Sequence, residues 1–269
     1  MRIRLLAAAA TLLAITAPLV APLAAQDLSG LKEPISPDRP NFTNSPDTVA
    51  PGHFQLETGY TFTRKGPVKD SSLGELLLRY GLDERCEARL GLSSYHWTDT
   101  GVPGERRISG FQDPFVEVKV RLNDAEAERR AAGVPAMGLL VQTTIPVGAR
   151  ALTSDAWQPR ATLAFLWNLT KSVSLGSNLG CAYLADSGER FTQCFASLSA
   201  GVQMNDKTNA FFEGLTFSKE SARGSSTQYL DTGVSYSVSN DLQLDVRVGA
   251  GLNSPRPNWF TGLGASVRF

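Results

Sequence analysis

Charged side chains recur at every second position in several segments of this chain. In "LQLDVRV", Asp245 and Arg247 alternate with leucine and valine, and the same spacing recurs around Glu87 and Lys119. Carboxylates and basic groups on one face can pair with each other across strands, or they can orient a polar group of a bound molecule. The candidates of this kind are Glu57, Glu75, Arg79, Glu87, Arg89, Glu117, Lys119, Arg121, Asp231, Asp245, Arg247 and Arg268.

The same sequence offers little for catalysis. His53 and His96 are its two histidines, and His96 lies three residues before Asp99. A hydrolase site would need His96, an acid and a serine such as Ser93 or Ser94 to converge, and their spacing does not compel this. No metal-ligand spacing or phosphate-binding loop is present, so we predict no catalytic residues, no metal and no cofactor.

The first 25 residues have the pattern of a secretory signal. Arg2 and Arg4 precede an apolar run that ends in small residues, and Pro18 and Pro22 argue against an uncleaved transmembrane anchor. Removing Arg2 and Arg4 from the 26 basic residues leaves 24 against 26 acidic ones, a net charge of about −2. This balance favours no nucleic-acid partner. We therefore expect a cleaved signal at 1–25 and an exported protein.

The remainder divides into a proline-rich segment at 26–52 and a region of alternating residues at 53–269. The proline-rich segment should be extended and irregular. The alternation after it predicts twelve β-strands, at about 53–64, 72–82, 85–95, 110–122, 136–147, 159–169, 172–184, 191–204, 208–218, 227–238, 242–252 and 258–269. Faces at 136–147 and 208–218 are mixed and receive no assignment.

Two kinds of connection alternate between the strands. Tight turns such as "GLDER" at 81 and "QMNDK" at 203 alternate with longer connections rich in Gly, Pro and charge. We expect the longer ones at 96–109, 148–158, 185–190, 219–226 and 253–257. Repeated hairpins of this kind are typical of an antiparallel β-barrel whose two ends face different surroundings.

Strand length distinguishes a membrane barrel from a soluble β-sandwich. Eleven residues at about 3.3 Å each span roughly 36 Å, and a tilt of about 45° leaves roughly 25 Å, the height of the apolar band of outer-membrane barrels. Sandwich strands average about five or six residues. Aromatic residues on the apolar side also gather near both strand ends, where two interfacial belts would lie. The apolar faces should therefore contact lipid, and the charged faces should line a lumen.

Several stretches resemble a known family of bacterial outer-membrane transporters named for the meta-pathway of phenol degradation. "SPDRPNFTNSPDTVAPGHFQLETGYTF" at 36–62 is similar to the family's entry segment, with Asp38, Arg39, Pro40, Phe42 and Thr43 as its most distinctive residues. The later hairpins "LLLRYGLDERCEARLGL", "GFQDPFVEVKVRL" and "LDVRVGAGLNSPRPNWFTGLGASVRF" resemble it as well. The resemblance implies an outer-membrane barrel that moves small, often aromatic or hydrophobic compounds, and it makes Phe269 look like the signal read by the barrel-assembly machinery.

The lumen and the proline-rich segment each allow two interpretations. Paired lumen charges could brace the wall, or they could form a sorting constriction that orients the solute. Twelve strands suggest a narrow or occluded bore. Residues 36–51 could sit in or under the short-turn mouth as a plug, or they could form a disordered periplasmic tail.

The three cysteines also leave alternatives. Cys181 and Cys194 flank the connection at 185–190 symmetrically on the apolar side, so a cross-strand disulfide is predicted, with two free thiols as the alternative. Cys86 would stay single.

The sequence thus predicts an all-β outer-membrane barrel of about twelve strands that passes small, possibly aromatic, solutes by passive diffusion. Its expected partners are outer-membrane lipid, the assembly machinery and a small-molecule solute. A closed structural or adhesion barrel with ligand-binding extracellular loops is the second hypothesis, and a secreted soluble β-sandwich is the third.

Overall fold

The computed structural model describes residues 28–104, 107–123, 133–253 and 258–269. The predicted signal at 1–25 lies outside the described residues. Fourteen strands are present in the described part of the chain: β1 (Phe54–Lys65), β2 (Val68–Gly81), β3 (Cys86–Gly91), β4 (Tyr95–Asp99), β5 (Ile108–Phe111), β6 (Phe115–Arg121), β7 (Ala136–Thr144), β8 (Pro159–Asn168), β9 (Val173–Asp186), β10 (Glu189–Gln203), β11 (Thr208–Phe217), β12 (Thr227–Ser237), β13 (Leu242–Gly251) and β14 (Asn258–Arg268). Within these residues, no helix is long and apolar enough to cross a membrane.

The strands form one closed antiparallel sheet. β1 pairs with β2 on one side and with β14 on the other, so the first and last strands close the barrel. At this seam the amide of Phe54 donates to the carbonyl of Phe269, and the amide of Phe269 donates back to the carbonyl of Phe54, both at 2.9 Å. Closure pairs the first and last strands with each other, as a lipid-exposed sheet requires, while β5 at the long-loop end pairs only with β4.

Twelve segments cross the barrel wall, as predicted, because two of them are broken. β3 and β4 both pair with β2, at its end and its beginning respectively; β3 lies within the strand expected at 85–95, and β4 overlaps that range only at Tyr95. β6 lies within the strand expected at 110–122, and β5 overlaps that range only at Gly110 and Phe111. The expectation of an irregular connection at 96–109 was wrong, since β4 and β5 pair there and extend the hairpin.

The expectation of a long loop at 185–190 was also wrong. β9 and β10 stay paired up to Asp186 and Glu189, which leaves only Ser187 and Gly188 in the turn. Both turn residues have positive φ, 51° and 85°. Two residues of this conformation form the tight turn that matches strand twist, so the ladder continues to the tip.

The apolar faces point outward. Leu244, Val246 and Val248 are 38, 57 and 51% exposed, whereas their neighbour Asp245 is 4% exposed. A soluble sandwich would bury these three residues between its sheets, so that hypothesis is excluded. The same outward face includes Val116, Val118, Leu163, Leu179, Leu198, Phe212, Val234 and Leu263.

Aromatic side chains cluster at both ends of this outer face. Phe54 contacts Tyr80 and Phe269 at one end, with ring centroids 4.5 and 6.0 Å apart. At the other end Phe62 and Trp259 lie 5.4 Å apart. These positions fit the two interfacial belts of a membrane barrel. We call the first end, with the turns at 82–85, 169–172, 204–207 and 238–241, the short-turn end, and the opposite one the long-loop end.

The two strands without an assigned face have partly apolar inner surfaces. In β11, Phe211 and Leu215 are each 7% exposed and lie on the same inner face as Glu213, while Phe212 points outward. In β7, Ala136, Gly138 and Leu140 face inward. Gly138 lies against Pro46, so part of the chain itself fills the lumen at this point.

The structure joins Cys181 and Cys194. They are directly opposite each other in β9 and β10, their Cα atoms are 4.0 Å apart and their sulfur atoms 2.14 Å apart, and Cys86 is free.

We predict that the exported protein carries the disulfide between Cys181 and Cys194. Alkylation of the unfolded protein without reductant should modify one thiol, and reduction should raise the number to three. In the Cys86→Ser variant, alkylation should modify no thiol before reduction and two thiols after it. Three reactive thiols before reduction would contradict the prediction.

Candidate functional site in the barrel lumen

The lumen contains a stretch of the proline-rich segment, residues 36–51, which we call the internal segment. It enters at the short-turn end, where the amide of Ile35 donates to the carbonyl of Asn240, 2.7 Å away. It leaves at the same end, where it passes so close to β2 that a Cβ on Gly81 would lie 2.2 Å from the carbonyl oxygen of Ala50. Only glycine permits that approach. The segment therefore forms a loop inside the barrel with both ends at one mouth.

Asp38 anchors this loop to a buried ionic cluster on β2, β3 and β6. Its carboxylate lies 2.9 Å from Lys119 Nζ and 2.9 Å from Arg89 Nη2. Arg79 lies close by, with Nη1 3.7 Å from the same Oδ2. All three cations are at most 5% exposed. A buried charge is costly unless it is paired, so Asp38 and these cations depend on each other.

Three glutamates complete the same cluster. Glu57 and Glu87 contact Arg79, at 2.9 and 3.0 Å, and Glu117 lies 2.8 Å from Arg89. Glu57 also accepts hydrogen bonds from the backbone amides of Asp38 and Arg39. The cluster thus holds the backbone of the internal segment as well as its side chains.

The pKa of Asp38 reflects this environment. Burial raises the pKa of the Asp38 carboxyl, and the opposing charges of Lys119, Arg79 and Arg89 outweigh that effect, so the pKa lies below its usual range. The group is therefore ionised at neutral pH and binds the barrel wall as a carboxylate.

Arg39 makes a second anchor on the adjacent part of the wall, formed by β2, β1, β14 and β13. Its guanidinium lies 2.7 Å from Glu75 and 3.4 Å from Asp245. It is seated flat on β1 and β14 because Gly59 and Gly264 face each other there. A Cβ on Gly59 would lie 2.4 Å, and one on Gly264 2.3 Å, from guanidinium nitrogens of Arg39. The two glycines thus make the space that Arg39 fills.

The tip of the loop is bound by Glu213. Its carboxylate accepts hydrogen bonds from the amides of Phe42 and Thr43, at 2.8 and 2.7 Å, and from the Thr43 hydroxyl. Asn178 both donates to and accepts from the backbone of Asn44. These contacts tie the tip to β9 and β11, across the barrel from the Asp38 cluster.

Residues before the internal segment are fastened to the last hairpin. The amide and hydroxyl of Ser29 donate to the carboxylate of Asp241 at 2.9 and 2.6 Å. Arg268 pairs with the same carboxylate at 2.8 Å and donates to the carbonyl of Glu33 at 2.7 Å. The residues before the internal segment are thus bound to the barrel, in addition to the segment itself.

The internal segment lies between two cavities. A cavity of about 390 Å³ opens at the short-turn end, beside Lys171 and Gln203. A second, of about 530 Å³, lies toward the long-loop end beside Phe42, Arg247 and Phe260. A smaller one of about 90 Å³ adjoins it through Phe42 and Phe217. The internal segment thus separates the cavity at the short-turn end from the cavity toward the long-loop end.

The predicted lumen residues fall into distinct groups in the structure. The first ionic cluster joins Glu57, Arg79, Glu87, Arg89, Glu117 and Lys119. Glu75 and Asp245 hold Arg39, Arg121 pairs with Asp47 at 3.1 Å, and Arg268 pairs with Asp241. Asp231 lies directly opposite Glu213, and both oxygens of its buried carboxylate lack a hydrogen-bond partner among the described residues. Arg247 lies over the ring of Phe42 and donates to the carbonyl of Pro40 at 3.0 Å.

Sequence reasoning missed Glu213, Asn178 and Asp241. Glu213 lies in the strand whose faces were mixed, so the alternation could not assign it. Its position opposite Asp231 in a hairpin was the available signal. Asp241 lies in a turn and Asn178 is uncharged, so a search for alternating charges passed over both.

The comparisons with known proteins agree with the fold. The model of the family described as "Putative MetA-pathway of phenol degradation" matches residues 37–269. No curated protein matches the sequence significantly. The COG4313 outer membrane channel from Pseudomonas putida F1 has a TM-score of 0.61 and 16% identity, over 87% of this chain and 100% of the channel.

Two further solved structures have similar architecture. The NanC porin has a TM-score of 0.56 and 11% identity, over 79% of this chain and 98% of the porin. The KdgM porin in complex with disordered oligogalacturonate has a TM-score of 0.52 and 10% identity, over 80% and 99%. At these identities the likeness is one of fold, and the fold is that of a bacterial outer-membrane barrel.

Neutralising Asp38 should loosen the internal segment. Removing one partner of a buried ion pair costs about 3–5 kcal/mol, because the remaining charges stay buried. We expect Asp38→Asn to increase hydrogen–deuterium exchange in peptides from 36–51 while the strands stay protected. Asp47→Asn is the matched control, since the Asp47 carboxylate is partly exposed and pairs with Arg121 outside the buried cluster. Its backbone carbonyl, which accepts from Arg79 and Lys119, is unchanged by this substitution. Equal exchange in both variants would contradict the anchoring role.

Mild acid should leave the wild-type segment in place. Because the folded pKa of Asp38 is lowered, its stabilising contribution is complete above the ordinary carboxyl pKa and is lost only as the pH falls through the lowered value. Exchange protection of 36–51, corrected for the intrinsic rate, should therefore be the same at pH 7 and pH 5. A large loss at pH 5 would show that another group controls the anchor.

Proposed function

Because this chain belongs to the family described as "Putative MetA-pathway of phenol degradation", we propose that it is a passive diffusion channel of the bacterial outer membrane for small aromatic or hydrophobic compounds. The family's name points to ring-containing compounds. The proposal rests above all on one observation, the internal segment lying between two cavities that open toward opposite mouths.

The internal segment acts as a plug in this proposal. It is bound on one side through Asp38, on another through Arg39 and at its tip through Glu213. These contacts fill the middle of a twelve-stranded bore, which is already narrow compared with barrels of sixteen or more strands. A solute must therefore pass beside the segment or displace it, which would favour small molecules over large ones.

The ionic cluster has a bracing role in this account. Its charges contact one another at distances of 2.8 to 3.7 Å, and its cations are buried. Charges that are already satisfied in this way hold the plug and the wall together. Solute selection would then fall to the groups that line the open cavities.

The last residue has a separate role in the proposal. Phe269 ends a strand with Leu263, Ala265 and Val267 at alternate positions, and it lies at the seam that closes the barrel against β1. We propose that this end is the signal recognised by the barrel-assembly machinery, and that outer-membrane lipid covers the apolar band.

Deleting residues 26–50 should increase permeation. Without the plug, the two cavities would join, so proteoliposomes with the deleted protein should take up small solutes faster and planar bilayers should show higher single-channel conductance. Glu213→Gln, which weakens only the tip, should give a smaller increase. The shift in gel mobility between boiled and unboiled samples serves as the control that each barrel is folded.

Two outcomes would contradict parts of this proposal. Unchanged conductance after the deletion would exclude the plug. No permeation of phenol-sized solutes through either protein would exclude the channel and favour a closed barrel whose long loops bind a ligand outside the cell.

A further inference from the structure

The cavity toward the long-loop end combines aromatic rings with one basic group. Phe42, Phe217, Tyr229 and Phe260 all line its 530 Å³. Their rings form a chain of contacts: Phe42 to Phe260 at 5.7 Å, Phe260 to Tyr229 at 6.5 Å, and Tyr229 to Phe217 at 6.3 Å. Such a surface favours a flat ring, since aromatic pairs gain energy beyond simple burial. The volume lies within the range typical of small-molecule sites.

Arg247 lies in the same cavity, within cation–π distance of two of these rings. Its guanidinium carbon is 4.6 Å from the Phe42 ring centre and 5.5 Å from that of Phe260. Among the described residues no carboxylate lies within 4 Å of its guanidinium nitrogens. This distinguishes it from Arg39, Arg79 and Arg89, which are all ion-paired.

Much of the hydrogen-bonding capacity of Arg247 is unused. A guanidinium carries five N–H groups. Nη1 donates to the carbonyl of Pro40 and Nη2 to the hydroxyl of Thr61, at 3.0 and 3.2 Å. Nε is buried and has no hydrogen-bond partner among the described residues. The Arg247 guanidinium thus lies beside Phe42 and Phe260 and keeps N–H donors that an anion could bind.

The acidic groups of the cavity wall are occupied by other partners. Glu75 pairs with Arg39 at 2.7 Å, Asp70 lies 3.3 Å from His96, and Glu220 lies 3.6 Å from Lys65 and accepts the Tyr229 hydroxyl at 2.7 Å. Arg247 therefore has no counter-ion within hydrogen-bond distance among the described residues, and the carboxylates of Glu75, Asp231 and Asp245 act on it only from farther away. An anionic group of a ligand that reaches the guanidinium would be its closest counter-ion.

We infer that this cavity, formed by Phe42, Phe217, Tyr229, Phe260 and Arg247, is a binding site for an aromatic ring that carries an anionic group, such as an aromatic carboxylate. The ring contacts the phenylalanines and the tyrosine, and the anion accepts hydrogen bonds from Arg247. This inference rests on the proposed channel function for the role of the site, as the first stop of a solute that enters from the long-loop end. Binding itself can be measured without transport.

A comparison of three ligands tests the site. Calorimetric titration of the purified full-length barrel in detergent should show benzoate binding more tightly than benzyl alcohol, which lacks the charge, and than acetate, which lacks the ring. Arg247→Gln should weaken benzoate binding by roughly tenfold, the usual size of a lost charge-assisted hydrogen bond. The same change should leave benzyl alcohol binding nearly unaltered, and Arg247→Lys should retain part of the benzoate affinity.

Arg64→Gln is the matched control. Arg64 is exposed and lies opposite Trp259 in the pairing of β1 with β14, on the outer face. The substitution therefore removes one arginine charge at a position outside the cavity. It should leave benzoate binding unchanged. Equal effects of the two substitutions, tighter binding of benzylamine than of benzoate, or no benzoate binding by the folded wild type would overturn the inference.

Uptake into proteoliposomes separates this inference from the proposed function. Benzoate binding without any permeation would keep the site and exclude the channel. Permeation that does not respond to Arg247→Gln, together with unchanged binding, would keep the channel and exclude the site.

Discussion

The contact of the Asp38 carboxylate with Lys119 and Arg89 determines how the interior of this barrel is organised. These cations are too deeply buried to remain unpaired, and the three glutamates beside them come from the same wall. The Asp38 carboxylate, which belongs to the internal segment, pairs with these cations from the side of the bore. Because removal of one member would leave the others buried, the segment and the wall are stabilised together. The tip of the segment, with Phe42, is then held across the bore by Glu213 and Asn178.

The second constraint comes from the membrane outside. A lipid-facing strand can carry no unpaired main-chain group and little charge, so polar side chains have only the inner face available. The inner faces are nevertheless not uniformly polar. Leu140 points inward on the same strand as Gly138, which lies against Pro46 of the internal segment, and Phe211 points inward beside the cavity at the short-turn end. The interior therefore combines apolar packing with the buried ionic cluster.

The alternation of residues was enough to predict the barrel, its twelve crossings and the outward direction of Leu244, Val246 and Val248. Turn details were less accessible, because the two-residue turn at Ser187 and Gly188 depends on backbone conformations that its composition does not require. Pairing between particular charges could not be predicted either. It depends on register across strands and on a segment whose path has no periodic pattern. Glu213 illustrates this limit, since it binds a part of the chain 170 residues away.

The contacts of the internal segment and the residues before it with the wall also limit when these residues can reach their final positions. The loop contacts strands from β1 to β14, and the hydrogen bond from Arg268 to the carbonyl of Glu33 joins residues 235 apart in sequence. The residues that precede the internal segment are held by Asp241 and Arg268, which belong to the last hairpin. All of these contacts can therefore be made only once that hairpin is in place. A sheet without it would lack part of the surface that retains the amino-terminal residues.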